Sequence, residues 1–122
     1  MKQLILIFIG GGFGSVLRYL LSRFLSTQDG IPYGTFVANV SGSFLIGVVL
    51  GFAIKNQTLT QNQTYFLATG FCGGFTTFSS FAYENHIFLK SGDFLAFLLY
   101  TSISFILAIA AVFGGFFITK II

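Results

Sequence analysis

Apolar residues fall along this chain in four long runs separated by short polar stretches, not in the alternation of a strand. The runs cover about 4–25, 31–54, 65–89 and 94–118. A helix that crosses a bilayer needs ~20 largely apolar residues, and each run supplies them. The first carries Arg18 and Arg23 near its far end, the second and fourth carry no charge, and the third is uncharged as far as Tyr83. The connectors are Ser26–Gly30, Lys55–Asn62 and Lys90–Asp93. Pro32 suits a first helical turn, where its missing N–H costs nothing, and Gly92 marks a break. The pattern predicts an all-α integral membrane protein, a single four-span domain over 1–122. Both termini then lie on one side of the membrane.

Composition agrees. Apolar residues make up 55% and charged ones 7%, with a mean hydropathy of +0.91. A soluble domain carries about 25% charged residues, so this chain lacks the side chains to cover a water-facing surface. The single Cys excludes an internal disulfide and a Cys-cluster metal site. One His, one Cys and three carboxylates give an enzyme little to work with, and the chain is read as a non-enzyme. Its net charge of +3 is spread along the length, which argues for membrane flanks and against a nucleic-acid partner. Lys2 before an apolar run resembles a signal peptide loosely. No small-x-small cleavage site follows, and Gly10-Gly11-Gly12 interrupts the run, so it is read as a retained first helix. The Asn-X-Thr triplets at Asn56 and Asn62 are of a kind that arises by chance.

Positive charge sets the orientation of a membrane helix. Lys2, Lys55 and Lys120 fall on one side; Arg23 and Lys90, with Arg18 deeper, fall on the other. So small a bias leaves two alternatives: the chain inserts both ways, which permits an antiparallel homodimer, or another membrane component orients it.

The spans carry more than filling. Thr35, Asn39 and Ser43 are four residues apart and share a helix face, which Gly47 and Gly51 continue. An Asn in a span is costly unless it is hydrogen-bonded or faces water; Asn39 either glues two helices or belongs to a polar track. In the third span, Gly70-Phe71-Cys72-Gly73-Gly74-Phe75-Thr76-Thr77-Phe78-Ser79-Ser80-Phe81 is poor helix material. A helix broken there frees backbone groups that protein, water or an ion must satisfy. The alternative is a Gly70/Gly74 packing face, which leaves Thr76, Thr77, Ser79 and Ser80 without a reason. Phe78 and Phe81 lie roughly on one face, and the positive edges of their rings could support an anion, or they simply pack. Tyr100 and Ser104 share a face of the fourth span. Arg18 could snorkel to the interface or draw anions into a vestibule, and Glu84 sits near the same side, within reach of a pairing with it. Gly10 and Gly14 form a helix-packing face.

Three segments together resemble one family. Gly11-Gly12-Phe13-Gly14-Ser15-Val16-Leu17-Arg18-Tyr19 is similar to its first-span signature, and the run Gly34 to Gly47 to its second. The run Gly70 to Phe81 is similar to its third, which is highly specific; the fourth span matches less specifically. The family is that of the Fluc (CrcB) fluoride channels. The resemblance implies an antiparallel, dual-topology homodimer with two pores that pass fluoride passively out of the cell across its inner membrane. It implies that Phe78 and Phe81 turn ring edges to fluoride, that Asn39 lines the pore with Thr35 beside it, and that Ser79 and Ser80 lie near the polar track. It implies a third helix broken mid-membrane that holds a central Na⁺ through the carbonyls of Gly73 and Thr76 of each subunit. Tyr100 and Ser104 are the expected fourth-span contribution, and Arg18 and Glu84 take vestibule or structural roles.

The chemistry suits the task. Fluoride is small and tightly hydrated, so close donors from Asn, Ser, Thr and Tyr must replace its water, without an intramembrane Lys or Arg that would hold it too long. Two other classes compete. A small multidrug transporter has this size and dual insertion, but relies on a carboxylate in its first span, and residues 4–25 contain none. A scaffold subunit would explain the glycine motifs, but gives the Asn39 face and the third span no purpose.

Overall fold

In the computed structural model, which describes residues 1–55 and 57–122, those residues form helices joined by short connectors, with no strand. Asn56, the first of the Asn-X-Thr positions, lies outside the described residues. Helix α1 spans Lys2–Phe24 and α2 spans Tyr33–Ile54. The third run gives two helices: α3, over 61–75, and α4, Phe78–Lys90. Helix α5 spans Phe94–Ile121. Helices α1, α2 and α5 are each long and apolar enough to cross a membrane. Large apolar side chains remain exposed along them, Phe8 at 81% and Phe113 at 71% among them. In water such a surface would be an aggregation liability, whereas lipid accepts it.

Local chemistry sets the helix ends. Gly92 takes φ +79°, and the N–H groups of Gly92 and Asp93 donate to the carbonyls of Leu89 and Phe88. This left-handed stop satisfies the last carbonyls of α4. Asp93 then accepts from the Ala96 N–H at 3.1 Å and caps α5. At the start of α3, Thr60 and Gln63 form a reciprocal capping box, so the third run begins four residues before the expected Tyr65. Residues Tyr65–Cys72 within α3 adopt the wider π-helical turn, a form found mostly as short insertions in α-helices.

Glycines bring backbones together at two parallel crossings. A Cβ added at Gly10 would meet the Phe71 nitrogen at 3.0 Å and the Gly70 Cα at 3.1 Å, and one at Gly14 would meet the Phe75 nitrogen at 2.7 Å. Helices α1 and α3 therefore touch backbone to backbone, Gly10 and Gly14 against Gly70 and Gly74. Helices α2 and α5 do the same lower down the chain: a Cβ on Gly47 would meet the Phe116 nitrogen at 3.1 Å, and one on Gly115 the Val48 nitrogen at 2.9 Å. Such contacts fit membrane helices, which gain little from burying oil against oil and associate through close van der Waals packing. Gly47 and Gly51 continue the Thr35 face in sequence, but their task here is this packing. Both glycine pairings rise together in number, so α1 runs parallel to α3, and α2 to α5. Phe88 meets Tyr100 while Phe81 meets Phe105, so α4 and α5 run antiparallel, and hydrogen bonds from Tyr100 to Glu84 and from Thr101 to Asn85 tie them together.

A groove lined by an interrupted helix

The interruption between α3 and α4 falls on the two threonines, not on the glycine pair. Gly73–Phe75 is helical, whereas Thr76 (φ −82°, ψ 156°) and Thr77 (φ −151°, ψ 122°) are extended. The β-branched pair resists helix at χ1, and its hydroxyls offer the backbone other partners. The Thr76 hydroxyl returns to the Cys72 carbonyl at 2.8 Å, and the Thr77 hydroxyl accepts from the Ser80 N–H at 3.1 Å, which caps α4.

Asn39, from α2, fills the gap. Its Oδ1 accepts the Thr77 N–H at 2.7 Å, and its Nδ2 donates to the Thr77 carbonyl at 3.0 Å. The side chain thus supplies the backbone partners that an extended residue between two helices would otherwise lack. On the other flank, Arg18 donates Nε–H to the Gly74 carbonyl at 3.1 Å, with the Ser15 hydroxyl at 3.4 Å from the same oxygen. Arg18 therefore serves the end of α3; the structure does not bring it to Glu84. Among the described residues, no hydrogen bond from a side chain, or from backbone outside the helices, reaches the Gly73 or Thr76 carbonyl.

A groove of about 370 Å³ opens beside the interruption, walled by Asn39, Gly73, Thr76, Phe78, Phe81 and Ser104. Phe81 is buried at 7% exposure, its ring 5.7 Å from Phe105 in an edge-on arrangement and 5.2 Å from Tyr100. Phe78, 5.9 Å from Phe81, is 72% exposed at the rim. Ser104 is buried, and its hydroxyl has no partner, the one such side-chain atom among the described residues. A buried polar atom without a partner calls for an explanation.

Beyond Phe81 lies a second polar cluster. Glu84 accepts from the Thr35 hydroxyl at 2.6 Å and from the Tyr100 hydroxyl at 3.0 Å. Thr35 and Tyr100 are therefore not groove walls, and Tyr100 joins the two regions through its ring. Ser79 and Ser80 stay at the first turn of α4, Ser79 exposed with its hydroxyl 3.3 Å from that of Thr77.

Some participants were not singled out from the sequence. Thr77, noted in the third-span motif but given no role there, is the partner that Asn39 serves. Asn85, buried, donates to the Phe81 carbonyl at 3.2 Å and accepts from Thr101 at 3.1 Å, forming a second tie beside Glu84–Tyr100. An Asn one residue past Glu84, within the third apolar run, was the available signal.

Apolar helices with exposed hydrophobic flanks, enclosing a groove with few but well-placed polar groups, define a multi-pass helical membrane protein. Comparison with known proteins makes this specific. Residues 5–116 match the family described as CrcB-like protein, Camphor Resistance (CrcB), and the chain belongs to it. It is 45% identical over 122 residues to a protein of Gloeothece citriformis, with 98% of each chain covered. It is 44% identical over 121 residues to one of Leptospira interrogans, covering 98% of this chain and 95% of the other. A Pyrococcus furiosus protein is 37% identical over 120 residues, with 98% of each covered. All three are named fluoride-specific ion channel FluC.

Proposed function

We propose that this protein is a fluoride-specific channel of the cell's inner membrane that lets fluoride leave passively and so lowers its level in the cytoplasm. The observation that carries this reading is the groove, where the unpartnered Ser104 hydroxyl, Asn39 and the Phe81 ring meet. An amide NH₂ has two hydrogens, and Asn39 uses one on Thr77, so one remains. Ser104 has its whole donor free. Ring edges of Phe78 and Phe81 add weak positive potential without a charge that would trap the ion. Past Phe81, the hydroxyls of Tyr100 and Thr35 are the next donors, at present turned to Glu84. Fluoride would take over such donors in turn, exchanging water for hydroxyl and amide hydrogens. Ser79 and Ser80 would lie near the start of that track, and Arg18 would hold the helix end beside it.

The working unit in this reading is an antiparallel homodimer inserted in both orientations, with two pores. Its support is the exposure of Phe78, Ser79 and Gly73 around the interruption, a surface that a single chain leaves uncovered. The interruption would fall at mid-membrane. The Gly73 and Thr76 carbonyls suit a hard cation, because oxygen dipoles not taken by other donors are what Na⁺ requires. Two from each subunit would supply four oxygens to a central Na⁺ that lends positive potential to both pores.

The test is fluoride efflux from liposomes holding the purified protein, followed with a fluoride electrode beside a chloride control. Fast fluoride loss without chloride loss, slowed in Phe81→Ile, is the expected result. No fluoride loss from well-folded protein would overturn the reading.

A further inference from the structure

Charge is distributed unevenly between the two ends of the bundle. Helix directions place Lys2, Lys55 and Lys120 at one end, with no Asp or Glu side chain, while Asp29, Glu84 and Asp93 all lie toward the other, with Arg18, Arg23 and Lys90. One end is balanced; the other is purely basic.

The basic end is also shaped. Lys55, at the end of α2, donates to the Thr119 carbonyl at 2.8 Å and so ties down the end of α5, where Lys120 follows. A cleft of about 280 Å³ lies between them, lined by Gly51, Ile54, Lys55, Phe116, Thr119 and Lys120. Lys120 stands with its Nζ 5.7 Å from the Phe116 ring centre. An ammonium has three donors; Lys55 spends one on Thr119, and among the described residues no Asp or Glu pairs with either lysine. Next to the cleft, sharing Phe116 and Lys120, runs a trough of about 370 Å³ lined also by Phe113, Gly114 and Phe117. Gly114 leaves open space there: a Cβ added to it would meet nothing within 4 Å. Phe113 and Phe117 are 71% and 61% exposed.

A basic head joined to an apolar trough on a lipid-facing helix has the form of an amphiphile's counterpart. We propose that Lys55 and Lys120 bind the phosphate of an anionic phospholipid, with one acyl chain along the Phe113–Phe117 trough. Lipid, not free phosphate, is the occupant because the trough is apolar, exposed and continuous with the cleft. A zwitterionic lipid would set its own cation beside two lysines, so the site discriminates by net headgroup charge. A basic residue near an anionic membrane surface contributes about 1 kcal/mol, or about fivefold in binding.

The test is native mass spectrometry of the full-length protein, equilibrated with equimolar phosphatidylglycerol and phosphatidylcholine of identical chains. The wild type is expected to retain phosphatidylglycerol in excess. Lys120→Gln should lower that excess about fivefold, Lys55→Gln with Lys120→Gln further, and Lys90→Gln not at all. Gly114→Leu, which fills the trough, should reduce retention of both lipids while the headgroup preference stays. Equal retention of the two lipids by the wild type would overturn the proposal, as would a preference unchanged in Lys120→Gln or lost equally in Lys90→Gln. Fluoride transport is not read, so this outcome is separate from that of the channel reading.

Discussion

Asn39 and Thr77 are bound to each other twice, side chain to backbone, by hydrogen bonds of 2.7 and 3.0 Å. One amide thereby makes an extended residue tolerable between two helices, and the same amide stands on the groove wall. The tie between helices that the sequence allowed for Asn39 is present, and it is made from the wall of the groove.

Replacing Asn39 with Ala should therefore harm the fold as well as any pore. It leaves the Thr77 N–H and carbonyl without these partners, at a cost of about 1–3 kcal/mol for each buried group stranded. The expected result is a lower melting temperature in detergent, with Asn39→Asp intermediate because the acceptor for the Thr77 N–H survives.

Tyr100 separates packing from hydrogen bonding. Tyr100→Phe keeps the ring 5.2 Å from Phe81 and removes the donor to Glu84. Stability should fall by only about 0.5–1.5 kcal/mol, while fluoride efflux slows. A rate equal to wild type in the liposome assay would remove the Tyr100 hydroxyl from the permeation path.

The glycine crossing gives a position-specific contrast. Gly14→Ala drives a Cβ into the backbone of Phe71 and Phe75, which no rotamer change can relieve. The variant should lose several kcal/mol, the range of severe overpacking. At Gly12 a Cβ meets nothing within 4 Å, so Gly12→Ala should leave the chain's own packing intact and gain up to about 1 kcal/mol of helix propensity. Detergent melting curves of the two side by side check this.

The loop between α1 and α2 carries a pH signature. The Thr27 hydroxyl and the Ile31 N–H both donate to Asp29, the first being the larger influence, and they hold its carboxyl below the ordinary value of 3.8. A depressed carboxyl steadies the folded loop above that ordinary value and loses this effect as pH falls through the lowered one. In an NMR titration, Asp29 should have its midpoint below that of a free Asp, and Thr27→Val should move it back up.

Much of this was legible in the sequence. Three helices fall within a few residues of the apolar runs, because in lipid a helix must satisfy its own backbone and its length follows the bilayer. Asn39, Phe78, Phe81, Ser104, Gly73 and Thr76 do share one groove. The site of the interruption was less legible. Gly73 and Gly74 are the weaker helix formers, yet they stay helical because α1 packs on Gly74 and Arg18 holds its carbonyl. The chain gives way at Thr76–Thr77, where Asn39 offers another partner. Tertiary contact decided this, and no local propensity encodes it. For the same reason Arg18 is on a carbonyl and Glu84 on two hydroxyls, although their positions along the chain allowed a pairing.

The π-helical stretch at Tyr65–Cys72 gives the third span an unusual genetic profile. A wide turn holds one more residue than an α-turn over the same rise. Deleting a single residue there would let the segment tighten into regular helix while the turns on either side keep nearly their present facing, whereas the same deletion in regular helix rotates one flank by about 100° against the other. A deletion before Gly70 would thus leave Gly70 and Gly74 set against α1. Single-residue deletions should therefore be better tolerated at 65–69 than in the regular helix of α1, whereas a Cβ at Gly70 would meet the Ile7 carbonyl oxygen at 3.0 Å, so substitution there should not be accepted.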